Sequence, residues 1–257
     1  MSPPLVVVHR DQSVLADAVA ARLITRLVDV QAAQETASVV LTGGGAGIAV
    51  LAAIAASPAR AAVDWSRLDV WWGDERFLPA GDQDRNETQA RDALLDQVPL
   101  DPARVHSMPA DDGVLEPEEA AQRYADELAA AARPEHHAMV PAFDVLLLGV
   151  GPDGHVASLF PEEPALYDDR AVVAVRGAPK PPPTRVSLTL PAIRSATEVW
   201  LVVAGDDKAG AVRVALSGAG EVQVPAAGAR GRQRTLWLLD RGAASKLPPG
   251  LDRVASP

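Results

Sequence analysis

The chain has 257 residues, 48% of them hydrophobic, a mean hydropathy of +0.04 and no cysteine, so it can bury a large core without disulfides or a thiolate metal site. Its net charge of −10 disfavours a nucleic-acid partner, because phosphate backbones draw basic faces. The Met-Ser-Pro-Pro start lacks the basic, long apolar form of a signal peptide, and no run reaches the roughly 20 apolar residues of a spanning helix, so a cytoplasmic protein without a membrane partner is expected.

In chain order, Leu5 to Val8 reads as a short strand. Asp11 to Gln34 reads as an amphipathic helix, with Leu15, Val19, Leu23 and Leu27 at spacings of four, and Ser38 to Leu41 as a second strand. Helices are expected near Ala46 to Ala56, Asn86 to Gln97, Glu116 to Ala132 and Asp207 to Leu216. Further strands are expected at Leu68 to Trp72, Phe143 to Leu148, Ala171 to Val175, Arg185 to Leu190, Val199 to Ala204 and Thr235 to Leu239. This alternation predicts an α/β fold, a Rossmann-like, mainly parallel sheet with helices on both faces, in one domain spanning 1–257. Lys180 to Pro183 and the Gly/Ala-rich Ser217 to Gly231 read as surface loops. The acidic Glu116-Pro-Glu-Glu119 suits the first turn of a helix. The five tryptophans fall in or beside strand patterns and read as core. His9, His106, His136 and His137 lack metal-ligand spacing and read as structural or solvated.

Polar punctuation at strand ends carries the chemistry, because ligands of such sheets bind outside the carboxyl ends of the strands. The apolar run Val145 to Leu148 enters Gly149-Val-Gly-Pro-Asp-Gly-His155 and so delivers His155 to such an end. It is the lead catalytic candidate. Thr42-Gly-Gly-Gly-Ala-Gly47 lies between a strand and an Ala-rich helix, where backbone N–H groups of Gly43, Gly44 and Gly45 can cradle an anion. It matches neither the P-loop nor the dinucleotide fingerprint, and a plain tight turn stays open. Asp74-Glu75-Arg76 follows a strand, and its acids can order Arg76 for an oxyanion, phosphate or carboxylate; a surface salt bridge is the alternative. Asn86 is assigned to a helix cap. Arg185 stands behind a stiff proline run, either as an anion ligand or as a solvated rim residue. Lys208 begins a helix, where the macrodipole disfavours a cation.

Taken together, Thr42-Gly-Gly-Gly45, Gly73-Asp-Glu-Arg76, Gly-Pro-Asp-Gly-His155 with Ser158-Leu-Phe-Pro161, Pro182-Pro-Thr-Arg185 and Gly205-x-x-Lys208-Ala resemble the 6-phosphogluconolactonase family in content and order, from about Val39 to Asp240. The related glucosamine-6-phosphate deaminases share a similar Asp-Gly-His but continue with a Phe-Asn-Glu-Pro type sequence, absent here. Many relatives carry Ser-Gly-Gly-Ser-Thr-Pro at the glycine turn, so contacts at Gly45 and Ala46 fall to the backbone. The resemblance implies the fold of those deaminases, ribose-5-phosphate isomerase and CoA transferases, with a small appended α/β region. It implies hydrolysis of 6-phospho-D-glucono-1,5-lactone in the pentose phosphate pathway, with no cofactor and no metal.

By the same resemblance, His155 is the general base, Arg76 lies near the ligand, and Arg185 with Lys208 forms the phosphate side. The catalytic set is thus His155, Arg76 and Asp74, and the substrate contacts are Gly43, Gly44, Gly45, Asp153, Gly154, Arg185 and Lys208. Asp153 either orients the imidazole or holds its turn, and the turn role is preferred. Water activation by neutral imidazole needs no covalent nucleophile on an already reactive lactone. The competing readings are a sugar-phosphate isomerase or deaminase, and a non-catalytic sugar-phosphate sensor. The protein is expected as a monomer or homodimer acting on a small sugar-phosphate lactone.

Overall fold

The computed structural model describes residues 3–132, 138–248, 250–251 and 253–255; His136 and His137 lie outside them. Strand β1 (Leu5–His9) leads into helix α1 (Gln12–Ala33), whose start is fixed by Asp11, the side chain accepting from the Val14 N–H at 2.9 Å. The α1 face carrying Leu15, Val19, Leu23 and Leu27 is buried, as the spacing of four expects. Then come β2 (Ala37–Leu41), α2 (Gly44–Ala56), β3 (Leu68–Trp72), β4 (Asp74–Arg76), α3 (Asn86–Ala93), α4 (Pro117–Ala131) and β5 (Val145–Leu148). The chain continues through β6 (Val172–Val175), β7 (Arg185–Leu188), α5 (Leu190–Arg194), β8 (Glu198–Val203), α6 (Ala209–Leu216), α7 (Pro225–Gly228), β9 (Arg234–Asp240) and β10 (Arg253–Ala255).

Seven strands form a parallel sheet in the order β10-β1-β9-β8-β5-β2-β3. Strands β2, β5 and β8 are buried along their whole length, which is why they read as continuous apolar runs. From β1 the chain crosses to β2 and β3 at one edge, then returns through β5, β8 and β9. The direction of winding therefore reverses between β2 and β5, and their carboxyl ends flank a crevice. A smaller antiparallel sheet, β4-β7-β6, is the appended region. Gly73 joins the two, its N–H donating to Leu41 O (3.0 Å) in the large sheet and its carbonyl accepting from Leu188 N (2.9 Å) in the small one.

Three expectations need correction. The stretch 217–231 is a surface loop only through residue 223: Val224, Ala226, Ala227 and Ala229 are buried around α7, an apolar cluster that a Gly/Ala-rich composition conceals. Helix α3 stops at Ala93, four residues early, and passes into a separate turn at Leu95–Gln97. Asp74–Arg76, which is not among the expected strands, is a strand in its own right, so its alternate side chains face opposite sides.

Trp65, Trp71, Trp72, Trp200 and Trp237 are all buried. His9 is buried at the end of β1, where desolvation first and Arg22 second lower its pKa. His106 stacks on Trp71 with ring centroids 3.7 Å apart and a 6° interplanar angle. Its Nδ1 lies 2.7 Å from Glu127 Oε1 and its Nε2 3.3 Å from Asp69 Oδ1. Burial disfavours the charged ring, but the bonds to Asp69 and Glu127 outweigh it and raise the pKa above histidine's ordinary value. A folded-state pKa above the unfolded one stabilises fully below the unfolded value, and that stabilisation is lost as pH rises through the folded one. Unfolding free energy measured by denaturant titration should therefore fall as pH rises past 6.5 through the His106 titration, and His106→Gln should remove that fall.

Candidate active site

The crevice at the β2/β5 reversal opens into a cavity of about 470 Å³ that brings together segments distant in sequence. Gly43, Gly44, Gly45, Asp74, Arg76, His155, Arg185 and Lys208 line it. Asp153 and Gly154 do not, and they act on His155 from behind.

The imidazole is set by its own turn. Asp153 Oδ1 lies 2.5 Å from His155 Nδ1 and accepts from the His155 backbone N–H at 3.2 Å, so one carboxylate both holds the turn and orients the ring. The expected preference for the turn role alone is too narrow. Burial works to raise the Asp153 pKa, but the hydrogen bond and charge of His155 hold it down to about 2. A carboxylate on Nδ1 requires a donor there, so the neutral ring carries its lone pair on Nε2. Gly154 adopts φ +86°, a conformation that favours glycine. Its carbonyl accepts from Ala226 N at 3.0 Å, which is how α7 buttresses the turn. A Cβ on Gly151 would stand 2.1 Å from the His155 ring, so only glycine leaves room for the imidazole.

The Ser158-Leu-Phe160 motif supports both walls. Ser158 is fully buried and its hydroxyl donates to Asp74 Oδ2 at 2.7 Å. Phe160 lies beneath His155, with centroids 4.6 Å apart, and its ring centroid is 5.9 Å from the Arg185 guanidinium carbon.

Opposite His155, β4 points Asp74 and Arg76 into the cavity and Glu75 away from it. Glu75 meets Arg76 at its backbone N–H (2.8 Å) and not at its guanidinium, so the surface salt bridge that was the alternative reading is not formed between them. Its side chain is buried beside Arg85, with Arg85 Nη2 at 3.8 Å. Burial pushes Glu75 up to about 7, against the opposing pull of Arg85 and three backbone N–H donors. Arg76 instead donates through Nη1 to Asn86 Oδ1, and Asn86 Nδ2 donates to the Asp74 carbonyl at 2.8 Å. Asn86 is thus not a cap: it is the first residue of α3, with Arg85 in the cap position, and it lines the cavity. Among the described residues, the buried Arg76 Nε has no hydrogen-bond partner.

Helix α2 begins at Gly44 in the left-handed region (φ +77°), and its cap residue Gly43 supplies no side-chain acceptor. The first-turn N–H groups therefore face the cavity without side-chain competition. A Cβ on Gly43 would fall 1.8 Å from Asn86 Oδ1, so this glycine also admits the Arg76 partner. Arg185, the cross-strand partner of Arg76 between β4 and β7, is 6% exposed and is held by the carbonyls of Pro182 (Nε, 3.1 Å) and Lys180 (Nη2, 3.0 Å), which excludes the solvated rim reading. Burial lowers the Arg185 pKa. The Lys208 ammonium lies against the Asp207 carboxylate.

Lys180, which also lines the cavity, is not among the candidates the sequence offers, and Asn86 is among them only as a helix cap. Lys180 had a signal in the proline run that ends at Arg185, because a stiff segment places both its ends. Asn86 had none, since its position depends on how the chain returns after β4. Among the described residues, no group of three or more His, Asp or Glu side chains is arranged to hold a metal ion, and no helix is long and apolar enough to cross a membrane.

Residues 10–237 match the family described as glucosamine-6-phosphate isomerases/6-phosphogluconolactonase. The chain is 66% identical over 256 residues to a 6-phosphogluconolactonase of Streptomyces coelicolor, covering 98% of each, and 50% identical over 241 residues to that of Mycobacterium tuberculosis, covering 93% of this chain and 96% of the other. Its fold superposes on the solved 6-phosphogluconolactonase of Trypanosoma brucei with a TM-score of 0.80 at 26% identity, over 96% of this chain and all of the other. A crevice at the sheet's winding reversal, ringed by glycine turns and cations, thus accompanies sequence likeness along nearly the whole length, and the chain belongs to the glucosamine-6-phosphate isomerase/6-phosphogluconolactonase family.

Proposed function

We propose that the chain hydrolyses 6-phospho-D-glucono-1,5-lactone to 6-phosphogluconate, with His155 activating the attacking water. The observation that carries this reading is the Asp153–His155 contact in a cavity that Arg76 also lines, a contact that leaves Nε2 as the basic nitrogen. His155 takes a proton from water as the water oxygen bonds the lactone carbonyl carbon. The resulting tetrahedral oxyanion collapses, the bond to the ring oxygen breaks, and the imidazolium returns its proton to that oxygen. Charge on the oxyanion is met by donors already in place, namely Arg76, braced by Asn86, and the first-turn N–H groups of α2.

Phosphate recognition is assigned to Lys180, Arg185 and Lys208, three cations that line the cavity in a chain of net charge −10. Binding there anchors the remote end of the substrate and holds the carbonyl near His155. Asp74, fixed by Ser158 and adjacent to Arg76, is read as ordering the polar wall. The two sheets share this cavity, so the chain is taken as one domain.

The test is a coupled assay on freshly generated lactone, and no acceleration over spontaneous opening would refute the reading. His155→Ala should lose about 100-fold or more in kcat while still binding 6-phosphogluconate by calorimetry. Gly151→Ala should lower kcat by a comparable order, because its methyl group would displace the ring, and a crystal structure of the variant should show the imidazole moved. Lys180→Ala should raise KM about 10- to 100-fold with a smaller change in kcat, as expected for loss of one charge-assisted hydrogen bond of roughly 1.5–3 kcal/mol.

A further inference from the structure

Glu75 sits outside the cavity and takes no part in the chemistry above, yet its surroundings are unusually complete. The residue is 1% exposed. Its Oε1 accepts from the backbone N–H groups of Arg76 (2.8 Å) and Asn86 (2.7 Å), and its Oε2 from that of Glu87 (2.8 Å). Asn86 and Glu87 open α3, where the first N–H groups lack intrahelical partners, and Arg85 in the cap position offers no side-chain acceptor. One carboxylate therefore caps α3 from a strand that is ten residues earlier in the chain.

The same carboxylate grips the backbones of Arg76 and Asn86, and these are the two residues whose side chains meet in the cavity. Asn86 also returns a hydrogen bond to the Asp74 carbonyl, closing a ring of contacts between β4 and the start of α3. We infer that Glu75 is a positioning residue for the lactone-opening reaction, setting the Arg76–Asn86 pair in the cavity by fixing both backbones from the opposite side of β4. This inference rests on the functional reading above and extends it to a residue that touches no substrate. A shift of order 1 Å in a catalytic group can cost about 100-fold in rate.

A double-mutant cycle tests the inference, comparing wild type, Glu75→Gln, Arg76→Ala and the double variant on fresh 6-phosphogluconolactone. Glu75→Gln should cut kcat about 10- to 100-fold with KM within about two-fold, since the phosphate cations are untouched, and it should cost nothing further once Arg76 is removed. Wild-type kcat in Glu75→Gln, or the same fold loss with and without Arg76, overturns the inference. If Glu75→Gln does not fold, Glu75→Asp, which keeps the charge but withdraws it by one methylene, goes through the same cycle. A readout independent of turnover is the ¹⁵N resonance of Arg76 Nε–H, assigned by its absence in Arg76→Ala. That signal should shift or broaden in the Glu75 variant, and an unchanged signal overturns the positioning role whether or not the chain opens lactones. A shifted signal in a protein whose wild type opens no lactone would strike the functional reading alone.

Discussion

The cavity exists because a single residue, Gly73, hands the chain from one sheet to the other. Its N–H completes the edge of the parallel sheet at Leu41, and its carbonyl begins the antiparallel sheet at Leu188. Two short strands, β3 and β4, are thereby locked end to end with no slack between them. Asp74 and Arg76 inherit their direction from that junction, by the two-residue alternation of a strand. Had the connection been a flexible loop, Arg76 would lose more freedom on meeting a ligand and its aim would be less defined.

Rigidity on the His155 side is built differently. The turn 149–155 has little secondary structure of its own and is held by contacts on every side: the Asp153 carboxylate, the Ala226 N–H to Gly154, and Phe160 beneath the ring. Gly149 N–H also donates to Thr42 Oγ1 at 3.2 Å, tying this turn to the glycine turn after β2. The two glycine-rich ends at the winding reversal are therefore fixed to each other as well as to the sheet. Absent side chains matter here as much as present ones, since Gly43 and Gly151 each vacate the volume that a neighbouring functional group occupies.

What could be read in the sequence follows from where the information is local. Apolar runs giving way to Thr-Gly or Gly after Leu41, Trp72 and Leu148 mark strand ends, and strand ends in such a sheet face the crevice, so the placement of His155, Arg76 and the glycine turn on the cavity is legible in the sequence. The appended sheet was legible only through resemblance, because β4 is three residues long and reads as a polar loop. The contacts of Asn86 with Arg76 and of Glu75 with the start of α3 are not legible for one reason: each acts across a chain reversal, and periodicity carries no information about which backbone a side chain will meet. The burial of Val224 to Ala229 was hidden because alanine and glycine give the same composition in a solvated loop and in a tight packing surface.

The contrast between a cationic cavity and an acidic exterior has a consequence for turnover. Opening a lactone creates a carboxylate, so the product leaves with one more negative charge than the substrate brought in. Cations lining the cavity attract both at close range, whereas the surrounding field of a chain with net charge −10 repels the product more strongly than the substrate once it moves out of the cavity. That repulsion is effective over only about 8 Å at physiological salt. Within that distance of the mouth, the exterior favours ejection of the product over its recapture.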